Sequence, residues 1–168
     1  MYIMNLIEIS DNKKFMKALL IDNLFDSFFL EEAKITTYNT FLIDGHIQEK
    51  FYQSLDETEV SEQPDAFSLW EKIKPFCFDI IKGKRLPLQF KIVLHAPHAI
   101  TTELLNHPDC TLDAGILKAL VLTVNYNGTN TTCVTATAMH TFVTDKSIEA
   151  LWDKRINDFI TSIIENAE

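Results

Sequence analysis

Glycine and proline are sparse in this chain, at four and five of 168 residues. That scarcity excludes collagen-like and Gly/Pro-rich low-complexity architectures. Cysteine is also scarce: Cys77, Cys110 and Cys133 are scattered, odd in number and without metal or redox spacing. Such a set does not build a disulfide framework, and it makes a reducing cytoplasm the expected compartment. No apolar run approaches the ~20 residues that span a bilayer. The opening Met1-Tyr2-Ile3-Met4-Asn5 has no basic start and no small-residue cleavage site, so no secretion signal is expected. Positive charge is short as well, with 15 Lys and Arg against 24 Asp and Glu, a net charge of −9. General nucleic-acid and membrane-surface binding are disfavoured, because both partners are anionic. GxSxG, P-loop, GxGxxG and HExxH motifs are missing, so those enzyme classes lose their usual local support. What remains is ordinary globular composition, 46% hydrophobic and 23% charged. The length suits a single domain over 1–168.

Periodicity gives an element order. Tyr2 to Ile9 alternates as a strand. Ser10 and Asp11 offer capping oxygens to a helix with Phe15, Met16, Leu19 and Leu20 on its apolar side. Phe28 to Ile43 is extended, rich in β-branched and aromatic residues around Ile35-Thr36-Thr37-Tyr38. Asp44-Gly45 then reads as a two-residue hairpin turn, pairing Ile43 with His46. Ser54 to Ala66 carries Asp56, Glu57, Glu59, Glu62 and Asp65 without a base, and reads as a solvated acidic loop. A central helix is predicted from Asp65 to Lys82, broken or kinked at Pro75 and ended at Gly83. Leu86 to His95 is a strand, followed by a short helix from Pro97 to Leu105. Leu117 to Tyr126 and Thr129 to Thr144 flank Asn127-Gly128, the strongest hairpin signal here. A last helix starts near Asp145, with Ile148, Leu151, Trp152, Ile156, Phe159, Ile160, Ile163 and Ile164 at helical spacing.

This order is β-α-β-β-α twice over. Leu69-Trp70-Glu71-Lys72 recurs as Leu151-Trp152-Asp153-Lys154, at nearly the offset that separates Asp44-Gly45 from Asn127-Gly128. The expectation is an internally duplicated α+β domain, with pseudo-repeats 1–83 and 84–168. Its mainly antiparallel sheet has about six strands, with about four helices on one face. A ferredoxin-like unit over residues 2–95 with an appended αββα is the competing partition.

Several segments resemble a small bacterial family of unknown function. They are Phe25-Asp26-Ser27-Phe28, Ile35-Thr36-Thr37-Tyr38-Asn39-Thr40-Phe41 with Ile43-Asp44-Gly45, Pro75-Phe76-Cys77-Phe78, Ile81-Lys82-Gly83-Lys84-Arg85 and Asp145-Lys146-Ser147. The resemblance spans nearly the whole chain and implies no activity.

Chemistry-bearing residues are few. His95, His98, His107 and Cys110 have the most metal-like spacing, but no standard finger has it, and they read as loop and helix-end residues. No cofactor is expected. Cys77 and Cys133 read as inert core thiols, Cys133 covered by Leu122 across the strands. The threonines at 131, 132, 135, 137 and 141 read as β-formers on an exposed face. Lys82, Lys84 and Arg85 stand out, three cations in four residues of an acidic chain. One cation would serve the helix dipole. The surplus predicts an accessible site for an anion or an acidic partner. These features favour a cytosolic, non-catalytic binding or scaffolding protein, with an unknown protein or small anionic ligand as partner and a homodimer as an option. The alternatives are an enzyme or small-ligand binder with a pocket between the halves, lined by Tyr38, Trp70 and Arg85, and a clamp-like nucleic-acid-associated module.

Overall fold

The computed structural model describes residues 5–52 and 66–166. The elements run β1 (Asn5–Glu8), α1 (Asn12–Leu20), β2 (Phe29–Thr36), β3 (Thr40–Asp44), α2 (Glu49–Tyr52), β4 (Ser68–Leu69) and α3 (Trp70–Ile81). Then follow β5 (Gln89–His95), α4 (His98–Leu105), β6 (Leu117–Tyr126), β7 (Thr131–Met139) and α5 (Ser147–Glu165). The architecture is α+β. Its antiparallel sheet has the order β1-β7-β6-β5-β2-β3, with the two-residue β4 also on β2. The acidic segment lies outside the described residues except for Ala66.

Among the described residues, the helices cover one face of the sheet. Ala33, Ile92, Val124, Cys133 and Ile7 form a transverse row across β2, β5, β6, β7 and β1. Four of these five side chains are fully buried, and Ile7 is partly so. The helices bury Phe15, Leu19, Trp70, Cys77, Trp152, Ile156 and Ile160 in the same core. Both buried indoles are matched, whereas Thr131 Oγ1 is buried without a hydrogen-bond partner among the described residues. Trp70 Nε1 donates to Leu19 O at 2.9 Å, and Trp152 Nε1 donates to Val121 O at 3.0 Å. Leu19 lies in the last turn of α1, where carbonyls have no intrahelical donor, so the indole supplies one.

Local signals hold where the physics is local. Asp11 caps α1 by accepting from Lys14 N at 3.1 Å. Asn127 Oδ1 accepts from Thr129 N and Asn130 N, and Gly128 has φ +97°, so β6 and β7 form the expected hairpin. Asp145 Oδ2 accepts from Thr111 Oγ1 and Oδ1 from Ser147 N at the head of α5. These bonds, Thr111 first, hold its carboxyl below the ordinary value.

Other expectations are corrected. The first hairpin turns at Thr37-Tyr38-Asn39, with Thr36 opposite Thr40, and Ile43 pairs with Ala33 rather than His46. Gly45 serves a close approach instead: a Cβ there would lie 1.8 Å from Leu30 O. It sits where the outer edge of β2 changes partner, from β4 at Leu30 to β3 at Glu32. α3 begins at Trp70, not Asp65, and runs unbroken through Pro75. Trp70 and Cys77 anchor it in the core on either side, and packing rather than propensity holds most helices. Val124, not Leu122, lies opposite Cys133. Thr131, Thr135 and Thr137 face inward and are buried. Thr135 Oγ1 bonds Asp153 Oδ1, and Thr137 Oγ1 donates to Glu149 Oε1 at 3.3 Å, so α5 brings carboxylates to receive them.

The two halves share an element order but not a strand order. β5, β6 and β7 are neighbours in the sheet, whereas β1 lies beside β7, remote from β2 and β3. Trp70 opens α3, while Trp152 lies well inside α5. Gly45 and Gly128 do different jobs. The structure therefore does not support superposable repeats.

Candidate functional site

One end of the sheet collects the β2–β3 turn, the connector 82–88 and the β6–β7 turn. Leu88 N donates to Thr36 O at 2.9 Å, which ties the connector to the base of the first turn. A Cβ on Gly128 would lie 2.9 Å from Leu88 O, so the second turn also closes against it. Gly83, at φ +147°, allows the chain to leave α3 here.

The three predicted cations diverge in role. Lys82 caps α3, pairs with Asp79 at 2.9 Å and lies 5.9 Å over the Phe78 ring. It is spent on its own helix. Lys84 and Arg85 are exposed and have no ion pair among the described residues. Leu86 and Leu88, in the same connector, are 78% and 66% exposed, and Tyr38, in the turn whose base Leu88 binds, is 86% exposed. Tyr38 meets Phe41 edge-on at 5.9 Å. The basic run was legible in the sequence. Its apolar partners were not, because Leu86 and Leu88 read as the start of a strand that begins only at Gln89.

The remaining candidates disperse. His95, at the end of β5, lies 3.0 Å through Nε2 from Glu31 Oε1. Glu31 falls at a register shift in β2, and such bulges re-aim side chains. Phe67 stands between His95 and His46, at 4.7 and 4.4 Å between ring centroids. His46 Nδ1 in turn lies 2.6 Å from Asp44 Oδ1. Bonding from the His46 backbone and ring holds the Asp44 carboxyl below its ordinary value. His98 packs against Phe29, and His107 accepts from Asp109 N. Cys110 lies against the core. No group of three or more His, Cys, Asp or Glu that could hold a metal occurs among the described residues. Burial pushes the thiols of Cys77 and Cys133 up to about 12, which keeps both protonated. Tyr38, Trp70 and Arg85 do not line a common pocket: Trp70 is fully buried and Tyr38 is in the turn.

The model of DUF5721, a family of unknown function, matches residues 18–164. The chain belongs to that family. This agrees with the resemblance carried by the Phe25–Phe28, Ile35–Gly45 and Pro75–Arg85 segments, all inside the match. No curated protein and no solved structure matches the chain. In this DUF5721 chain no helix among the described residues is long and apolar enough to cross a membrane.

Proposed function

We propose that the chain is a non-catalytic binding domain of the cytosol that docks an acidic protein segment at the end of the sheet formed by Tyr38, Lys84, Arg85, Leu86 and Leu88. The observation that carries this reading is that Lys84 and Arg85, with no ion pair among the described residues, adjoin the exposed Leu86 and Leu88 in one connector. Apolar side chains clustered in water mark interaction sites. A chain of net charge −9 repels acidic partners over most of its surface. Lys84 and Arg85 attract them here, which steers encounter and sets orientation. Arg85 offers the planar fork that grips a carboxylate bidentately. The three unpaired cysteines fit a reducing compartment.

A labelled synthetic peptide alternating Glu with Leu and Phe tests the reading by fluorescence anisotropy. Arg85→Glu is expected to weaken binding at least tenfold and flatten its salt dependence. Thermal stability should hardly move, since exposed charges contribute little to it. Equal binding of a Lys-for-Glu peptide, or indifference to Arg85→Glu, overturns the proposal. Dimerisation abolished by Leu86→Ser would give the surface to a second copy instead.

A further inference from the structure

The face of the sheet away from the core helices carries its own transverse row. Leu42, Lys34, Lys91, Asn125, Thr132 and Glu8 follow one another across β3, β2, β5, β6, β7 and β1. Lys34 and Lys91 are direct cross-strand neighbours, so their Cβ atoms stand about 5 Å apart and point the same way. Both are exposed, and neither has a carboxylate partner among the described residues. Like charges directly opposite one another destabilise a sheet. In a chain with more acids than bases, a lysine paired with a lysine is the arrangement that folding alone would avoid.

The two lysines open onto a cleft of about 330 Å³. Thr36, Gln89, Asn125, Asn127, Asn130 and Thr132 complete its polar lining, and no Asp or Glu among the described residues lines it. Each of these six side chains offers N–H or O–H donors. Asn127 turns its carbonyl oxygen inward to Thr129 N and Asn130 N, which leaves its amide N–H groups for the cleft. Phe90 and Tyr126 lie between these positions on β5 and β6 and send their rings to the covered face, where they meet edge-on at 5.3 Å. Tyr126 is held by its hydroxyl, which donates to Gly128 O at 2.9 Å.

We propose that this cleft binds a small polar molecule through a phosphate monoester group. Two ammonium groups match a dianion, whereas a monocarboxylate leaves one of them unneutralised. A phosphate monoester is largely dianionic at neutral pH, because its second pKa is about 6. Its terminal oxygens take the two lysines, and the surrounding amides and hydroxyls serve the rest of the molecule. The docking surface above uses Lys84, Arg85 and the apolar connector, so the two sites are separable by mutation.

Inorganic phosphate and glycerol 3-phosphate are the probes, titrated by calorimetry at constant ionic strength with chloride as the competing anion. Saturable binding is expected, weakened at least tenfold by Lys34→Gln and by Lys91→Gln and unchanged by Lys84→Gln. Without ligand, both cleft variants should melt at or above the temperature of the parent. Lys34→Arg should retain binding. Absence of saturation, or binding that survives both glutamine variants, overturns the proposal. So does a fall in melting temperature in either glutamine variant, because the lysines would then be structural.

Discussion

The two faces of one sheet follow opposite rules. On the covered face the row Ala33–Ile92–Val124–Cys133 is apolar. Thr135 and Thr137, which share that face, meet Asp153 and Glu149 from α5. Both indole N–H groups end on backbone carbonyls. On the open face, one ladder position away, Lys34 meets Lys91. The covered face is arranged for stability, since an unmatched buried polar group costs about 1–3 kcal/mol. The open face tolerates a mismatch because water screens it. A mismatch kept there points to an external partner.

Truncating the covered face should have the largest effect. Trp152→Ala is expected to lose about 3–5 kcal/mol by urea denaturation, combining a cavity with a stranded carbonyl on Val121. A loss under about 1 kcal/mol would mean that this indole is not a central support.

Alternate residues on β7 give a sharper comparison. Thr135→Val removes the donor to Asp153 and should destabilise by about 1–3 kcal/mol. Thr132→Val, one ladder position from Thr131 and on the open side, should stay within about 0.5 kcal/mol. Equal effects at both positions would dissolve the distinction between the faces.

Thiol chemistry reports the same contrast without altering the fold. Alkylation of the native protein at pH 8 should label the half-buried Cys110 first. Cys77 and Cys133, pushed up to about 12, should react only on unfolding. Labelling of all three at one rate, read by mass spectrometry, would contradict the burial.

The smallest effect carries the opposite sign. Lys34→Gln without ligand should raise stability by a few tenths to about 1 kcal/mol, by relieving the repulsion from Lys91. A destabilisation of that size would show that the two ammonium groups are already accommodated within the protein.

Elements whose cause lies within a few residues were legible. Helical spacing located α5, Asp11 announced the cap of α1, and Asn127-Gly128 announced the β6–β7 hairpin. Lys84 and Arg85 were visible for the same reason, as a contiguous run. Asp44-Gly45 misled because glycine answers two needs that look alike in sequence. Positive φ in a turn is local, while the approach of Leu30 O to Gly45 depends on a strand folded back from elsewhere. The repeated Leu-Trp-acid-Lys motif misled similarly, since pairing β1 with β7 ties the first strand to the second half of the chain.

Residue types and their periods thus determined that helices would lie over a largely antiparallel sheet, because amphipathic period and turn chemistry act over a few bonds. Strand order, the inward threonines and the meeting of Lys34 with Lys91 were decided by tertiary structure. Register pairs residues far apart in the chain, and a shift of one position exchanges the two faces of a strand. The candidate phosphate cleft, made from four strands and a turn, exists only once that register is set.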